Sequence, residues 1–479
     1  MKKIGIDALS FYVPSLYVDM EKLAEHRDIP FAKLNKGLGL NKMAFPDVNE
    51  DAASFAANAL YNLIIDNGID PRELGRIYLG TESALDAAKP TISYVVGSVE
   101  SKLEDSFGKD CFRNCDVVDM TFACVAAVDA MQNCTDWIRA GSDRKAVVVA
   151  SDFAKYALGS GGEYTQGAGA VAALLCEDPS IIAITDAWGV GFKSVGDFFK
   201  PRRLHSKLEV LKETAQLLGT SLSDEDARLL LDNNESEFWS NDNNYFELFK
   251  EEPVFDGPYS NACYKARISE AMSNFRQQKD VRVLSEWKHL VFHLPYAFQA
   301  RRMIFENWLE WLEEENKIDE LYAEYGKAGE DDYKEWKKKV TKSEMYLDFI
   351  SSRIERGERA SAEIGNMYTA SIFMSLLSLL SASLKDGIEL NSDRIAFLSY
   401  GSGSKSKVFE GEVQEGWKNR IEKLGLFEAL ENRTEISIEQ YEQLHRCALE
   451  ERICKENRAG LHKIEQEGEL KGLREYRFA

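Results

Sequence analysis

Short apolar runs rich in β-branched residues alternate along the chain with longer segments whose apolar residues recur at helical spacing. Ile4–Ile6, Arg76–Leu79, Ala146–Ala150, Ala170–Leu175, Leu290–Phe292 and Ile395–Leu398 read as buried strands. Ala52–Ile65, Ala123–Ile138 and Tyr368–Leu384 read as helices. The order strand, helix, strand predicts an α/β layered fold. Polar residues stand where two of the strands stop, in Gly80-Thr81-Glu82-Ser83 and in His293-Leu294-Pro295. Ligand sites in open α/β sheets form beyond the carboxyl ends of strands, where backbone pairing ends and side chains converge.

Two stretches depart from this pattern. Residues 202–252 are rich in Asp, Asn and Glu, and residues 306–356 are dense in Glu, Lys and Trp, with helical spacing at Trp308, Leu309, Trp311 and Leu312. Both read as helical surface insertions, either amphipathic helices packed on the main body or a surface that docks a partner. The longest apolar stretch, Ile372–Leu380, is interrupted by Ser375 and Ser378 and is far shorter than the roughly 20 residues that span a bilayer.

With 479 residues, 44% of them hydrophobic, the chain can bury a large core. The 80 acidic against 59 basic residues give a net charge of −21, which opposes general binding to nucleic acid or an anionic membrane. The start, Met1-Lys2-Lys3 running into Ile4-Gly5-Ile6-Asp7, has an acidic residue inside what would be a signal-peptide core, so a cytoplasmic protein is expected. Eight cysteines are too sparse for a disulfide scaffold, and Cys111 and Cys115 lack companions to complete a metal site.

Cys124 lies in Met120-Thr121-Phe122-Ala123-Cys124-Val125-Ala126-Ala127, at or near the start of an Ala-rich helix. The partial positive end of a helix lowers a thiol pKa, and small neighbours leave room for a substrate; the alternative is a packed core thiol. His293, followed by Pro295, projects from extended chain. Glu82 after an apolar strand is either a buried base or a neighbour of a helix start. Gly401-Ser402-Gly403-Ser404 offers backbone N–H groups to an oxyanion, or is a plain tight turn.

Read in order, these segments resemble the 3-hydroxy-3-methylglutaryl-CoA synthases of the thiolase superfamily. The resemblance runs through Ile4-Gly5-Ile6-Asp7, Phe11-Tyr12-Val13-Pro14, Thr81-Glu82-Ser83-Ala84 and Gly161-Gly162-Glu163-Tyr164-Thr165-Gln166-Gly167. It continues in Phe292-His293-Leu294-Pro295-Tyr296, Gly365-Asn366-Met367-Tyr368-Thr369 and Ser399-Tyr400-Gly401-Ser402-Gly403. It implies a thiolase-like fold of two similar layered α/β halves: residues 1–180 with Glu82 and Cys124, and residues 181–479 with His293 and both insertions.

The same resemblance implies an acyltransferase of the mevalonate route to isoprenoids that condenses acetyl-CoA with acetoacetyl-CoA. Cys124 would accept the acetyl group, Glu82 would act as general acid and base, and His293 would hold and polarise acetoacetyl-CoA. Asn366, Ser402, Tyr368, Thr165 and Gly167 would line the substrate. Beyond the CoA thioesters no cofactor or metal is implied, and a homodimer is. Val125 and Val128 stand where the family usually has Tyr and Thr, Tyr164 stands for a proline, and Phe298 stands for a lysine that meets the CoA phosphates. Arg301 and Arg302 are positioned to replace that lysine electrostatically. Two rival readings are a related condensing enzyme that forms β-branches on carrier-protein-bound chains and a non-catalytic scaffold subunit.

Overall fold

The computed structural model describes residues 2–234, 236–239, 243–455 and 458–479. The chain forms two compact units, residues 1–197 with 257–479, and residues 198–256. In the larger unit the first half runs β1 (Ile4–Tyr12), α1 (Ala52–Asn67), β2 (Leu74–Gly80), α2 (Thr91–Phe107), β3 (Asp116–Met120), α3 (Ala126–Arg139), β4 (Lys145–Ala154) and β5 (Gly167–Glu177). The second half runs β6 (Ile182–Phe192), α4 (Gly257–Gln278), β7 (Trp287–Phe292), a helical region over 305–364, α5 (Ser371–Lys385), β8 (Arg394–Gly401) and β9 (Lys405–Val413). All six expected strands and all three expected helices are present.

These strands make one nine-stranded sheet in the order β7-β8-β9-β6-β1-β5-β4-β2-β3. The halves repeat each other. β2 is parallel to β4, which is antiparallel to β5, which is antiparallel to β1. Likewise β7 is parallel to β8, which is antiparallel to β9, which is antiparallel to β6. The halves meet through Ile4–Ile6 of β1 against Ile182–Ile184 of β6. The expected two similar α/β halves are therefore visible in strand order and sense.

Period-two alternation explains the layering. Ala146, Val148 and Ala150 of β4 and Ile395 and Phe397 of β8 face one shared core with Val128 and Met131 of α3 and Leu376 and Leu380 of α5. Their neighbours Val147 and Val149 face α1 and α2 on the far side, with Phe55, Leu60 and Val95. Ala396 and Leu398 face a third core filled by Phe275 of α4 and by Trp308, Trp311, Tyr346 and Phe349. α5 is apolar on all sides because it lies between sheet faces, and all but a few of its residues are buried.

The second insertion is helical as expected: Phe305–Glu314, Ile318–Tyr325, Tyr333–Val340 and Glu344–Arg353 pack tryptophans onto the outer face of β7 and β8. The first corrects the expectation of a helical insertion. Arg202–Ser206 pairs antiparallel with Tyr245–Phe249, and Phe198–Phe199 with Val254–Phe255, around the helices Lys207–Leu217 and Asp224–Asp232. Both faces of the Arg202–Ser206 strand lack full burial, so it carries no alternating pattern to read.

The central role of α5 has a measurable consequence. Leu376→Ala at this fully buried position should lower the unfolding free energy by about 2–5 kcal/mol. Urea unfolding followed by circular dichroism would measure it.

Candidate active site

Three strand ends and two helix starts meet at the sheet's carboxyl edge. β2 ends in Thr81-Glu82, β4 ends near Asp152, and β7 runs into His293. Asp152 is fully buried and gathers the surrounding segments. Its Oδ1 accepts from Thr81 Oγ1 at 2.9 Å, the Glu82 N–H at 2.7 Å and Ser83 Oγ at 3.0 Å. Its Oδ2 accepts from the Thr369 N–H at 2.9 Å and Thr369 Oγ1 at 2.5 Å. Thr369 Oγ1 also donates to Gly80 O at 2.9 Å. A buried carboxylate without such donors would carry a heavy desolvation cost, so these segments and Asp152 are stable only together.

Cys124 precedes α3 in a tight turn. The Val125 N–H donates to Phe122 O, and Ala123 takes φ +43°, which costs a non-glycine residue about 1 kcal/mol. The strain aims the sulfur at Glu82: Cys124 Sγ lies 2.7 Å from Glu82 Oε1. Cys124 is 7% exposed, and the cap of α3, Val125, makes no side-chain hydrogen bond to the first turn. The sulfur therefore sits at the partial positive end of α3, as its position before the Ala-rich stretch suggested.

The second half repeats this local geometry. Tyr368 stands three residues before the start of α5, as Ala123 stands three before α3, and it takes φ +41°. Thr369 thus holds the place that Cys124 holds in the first half, and it spends its hydroxyl on Asp152 and Gly80. Close backbone approach keeps the turns together. A Cβ on Gly401 would lie 2.6 Å from Phe122 O, and one on Gly80 would lie 2.3 Å from the Ala127 N.

His293 is 2% exposed, with Nδ1 buried and unpartnered. Its backbone N–H donates to Leu398 O at 3.2 Å, and its carbonyl accepts from Tyr264 OH at 2.7 Å. Burial pushes the imidazole pKa down to about 3, so the ring is neutral over the physiological range. Tyr156, Tyr264 and Tyr368 are buried around the site, and burial raises the pKa of each. They stay neutral hydroxyls.

Asn366 is 2% exposed; its Oδ1 accepts from the Tyr368 N–H at 2.8 Å and Ser371 Oγ at 3.1 Å. Thr165 O accepts from the Asn366 N–H at 3.1 Å, and Gly167 lets the Asn366 backbone approach where a Cβ would lie 2.6 Å from its carbonyl oxygen. Ser402 lies beside Gly403, whose N–H donates to buried Asp197 at 2.8 Å. Tyr400 OH donates to the same Asp197 at 2.6 Å. Glu358 Oε2 holds Arg301 at 2.5 Å from its Nη2, while exposed Arg302 donates to Gly37 O at 2.5 Å. Lys33 and Lys36, both exposed, share the short helix Phe31–Leu38 with Gly37. Among the described residues no His, Cys, Asp and Glu cluster is arranged to hold a metal.

The sequence reading missed Asp152, Tyr156, Tyr264 and Asp197. Asp152 had a signal, because it follows the strand run Ala146–Ala150 as Glu82 and His293 follow theirs. Tyr264 had none, since the fold brings it to His293 from a helix far along the chain.

Comparison with known proteins gives a consistent picture. The N-terminal family model of hydroxymethylglutaryl-coenzyme A synthase matches residues 1–180, and the C-terminal model matches residues 239–470. The hydroxymethylglutaryl-CoA synthase of Haloferax volcanii is 29% identical over 459 residues, covering 93% of this chain and 92% of that protein. The Enterococcus faecalis enzyme is 28% identical over 443 residues, covering 92% and 91%. A solved structure of MvaS in complex with 3-hydroxy-3-methylglutaryl coenzyme A superposes with TM-score 0.76 at 27% identity, over 100% of this chain and 99% of that one. HMG-CoA synthase complexed with CoA gives 0.68 at 26%, over the whole of both chains.

The depressed pKa of His293 predicts a pH effect with a definite sign. The unfolded imidazole titrates near 6.5 and the folded one near 3, so the unfolded state binds the extra proton between those values. This contribution to stability is complete above pH ~6.5 and falls by about 1.4 kcal/mol per pH unit toward pH 3. Replacing His293 with Gln should flatten the acid limb of the stability profile by one proton, measured by urea unfolding at a series of pH values.

Proposed function

The chain belongs to the hydroxymethylglutaryl-coenzyme A synthase family, and we propose that Cys124, Glu82 and His293 carry out its condensation of acetyl-CoA with acetoacetyl-CoA. The 2.7 Å contact between Cys124 Sγ and Glu82 Oε1 carries this reading, because nucleophile and base already touch. Cys124 gives up its thiol proton and attacks the acetyl carbonyl as the thiolate; the C–S bond to CoA breaks, and the departing CoA sulfur takes up that proton to leave as the thiol. One thioester replaces another, so the exchange is close to neutral in energy.

Glu82 then removes a proton from the methyl group of acetyl-Cys124. The enolate carbon attacks the ketone carbon of acetoacetyl-CoA, a new C–C bond forms, and the ketone oxygen becomes an alkoxide that takes the proton Glu82 had removed. Neutral His293 suits a role beside that oxygen, since one N–H can stabilise developing negative charge without introducing a fixed positive one. The Ser402 backbone, in a turn packed through Gly401 against the Cys124 turn, is suited to receive the acetyl oxygen. Water finally cleaves the thioester and restores the thiol. Atoms and charges balance through these steps with the two CoA thioesters and water alone.

Arg302, Lys33 and Lys36 support a route for the CoA phosphates to the site, because they place exposed cations on a chain that is otherwise strongly acidic. A homodimer is supported by β3, a half-exposed edge strand paired on one side only, to β2. None of the eight cysteines is in a disulfide, which supports a reducing compartment.

The proposed division of labour separates two variants. Intact-mass spectrometry after incubation with acetyl-CoA should show one added acetyl group on the wild type and none on Cys124→Ser. Glu82→Ala should acetylate yet fail to discharge the acetyl group when acetoacetyl-CoA is added, with condensation slowed at least about 10²-fold. Discharge at the wild-type rate would remove Glu82 from the proton-transfer role.

A further inference from the structure

A cavity of about 650 Å³ lies beside the end of β1, between α1, the segment 423–433 and the C-terminal end of the chain. Cys124, Glu82 and His293 do not line it, nor do Arg302, Lys33 and Lys36. Its volume is that of a small-molecule site. Lys102, Lys423, Arg433 and Arg458 reach its wall, and Asp66 is the one carboxylate among the lining residues. That balance is opposite in sign to the net charge of −21 on the whole chain.

Arg433 makes the imbalance costly. It is 9% exposed, its Nε donates to Leu430 O at 3.0 Å and its Nη2 to Glu363 O at 2.7 Å, while Nη1 is buried without a partner. Both its acceptors are neutral carbonyls, and burial lowers its pKa to about 10. The Glu363 carboxylate acts on Arg433 without a hydrogen bond to it, so the buried Nη1 still lacks an acceptor that an anion in the cavity would supply. Lys102 and Lys423 are exposed, and Lys423 lies close enough to the Asp66 carboxylate to oppose the burial-driven rise of its pKa.

Aromatic rings share the rest of the wall with Asn and Ser side chains. Tyr61 and Phe478 stand 4.9 Å apart between ring centroids, both half-buried. Lys102 Nζ lies 5.8 Å from the Phe478 centroid, and the Arg458 guanidinium 5.1 Å from that of Tyr12. Cations beside ring faces suit a ligand that joins negative charge to a flat ring.

We propose that this cavity is a second binding site, separate from the condensation site, for a small phosphorylated compound that carries a planar ring and has the size of a mononucleotide. The phosphoryl oxygens meet Lys102, Lys423 and Arg433, and the ring lies against Tyr61 and Phe478. The proposal stands independently of the condensation chemistry, since the two sites share no lining residue named for either.

Calorimetric titration of the intact protein with ADP, and separately with inorganic pyrophosphate, tests it. The variants are Lys102→Glu/Lys423→Glu, whose exposed side chains can be reversed without disturbing the core, and Arg302→Ala as the control for the CoA route. Saturable ADP binding that is tighter than pyrophosphate binding, is weakened about tenfold or more by the double reversal and is unchanged in Arg302→Ala supports the proposal. The double variant should keep its melting temperature and its KM for acetyl-CoA. Absence of saturable ADP binding at millimolar concentration overturns the proposal. So does ADP binding that only Arg302→Ala weakens, which assigns it to the CoA route. Equal affinity for pyrophosphate and ADP overturns the assignment of the ring.

Discussion

One buried carboxylate governs the geometry of the whole site. Asp152 lies at the end of β4 and takes hydrogen bonds from Thr81, Glu82 and Ser83 in the first half and from Thr369 in the second. A carboxylate in a dry interior is tolerated only when donors surround it, and here those donors come from both halves of the chain, adding to the β2–β4 pairing and the Thr369–Gly80 hydrogen bond. Satisfying Asp152 therefore fixes where Glu82 begins and where the loop of Asn366 and Tyr368 ends. The Cys124 turn completes the arrangement from the opposite side, held by the close approach of Gly401 and Gly80.

The internal repeat supplies those parts. Each half presents a strained residue three positions before a buried helix, Ala123 before α3 and Tyr368 before α5. The halves have diverged at the next residue. Cys124 keeps its sulfur free to face Glu82, whereas Thr369 commits its hydroxyl to binding Asp152 and Gly80. One half thus carries the proposed nucleophile while the other carries the brace, and His293 enters from the strand of the second half that corresponds to the Glu82 strand of the first.

Much of this is legible in the sequence because it depends on local pattern. Apolar β-branched runs announced the six strands, and their polar ends announced Glu82 and His293. The alanines after Cys124 announced a helix start. What was not legible depends on long-range convergence. Nothing near Tyr264 signals that it will donate to the His293 carbonyl, and Lys102, Lys423, Arg433 and Arg458 form one cationic wall only after folding. Arg301, read as a cation for CoA phosphates, lies against Glu358, a carboxylate 57 positions further along the chain. The Arg202–Ser206 strand escaped because pairing outside a core leaves no alternation of apolar and polar residues.

The central claim, that Asp152 binds two distant segments into one cooperative unit, is tested most directly by native-state hydrogen exchange at the Glu82 and Thr369 amides, both of which donate to it. In Asp152→Asn, whose amide group turns a donor toward groups that are themselves donors, the account predicts that both amides lose protection together, by an amount equivalent to about 1–3 kcal/mol. Amides in the centre of α5 should keep theirs. Loss of protection at one of the two amides alone, or at neither, would show that the segments are held independently and would contradict the account.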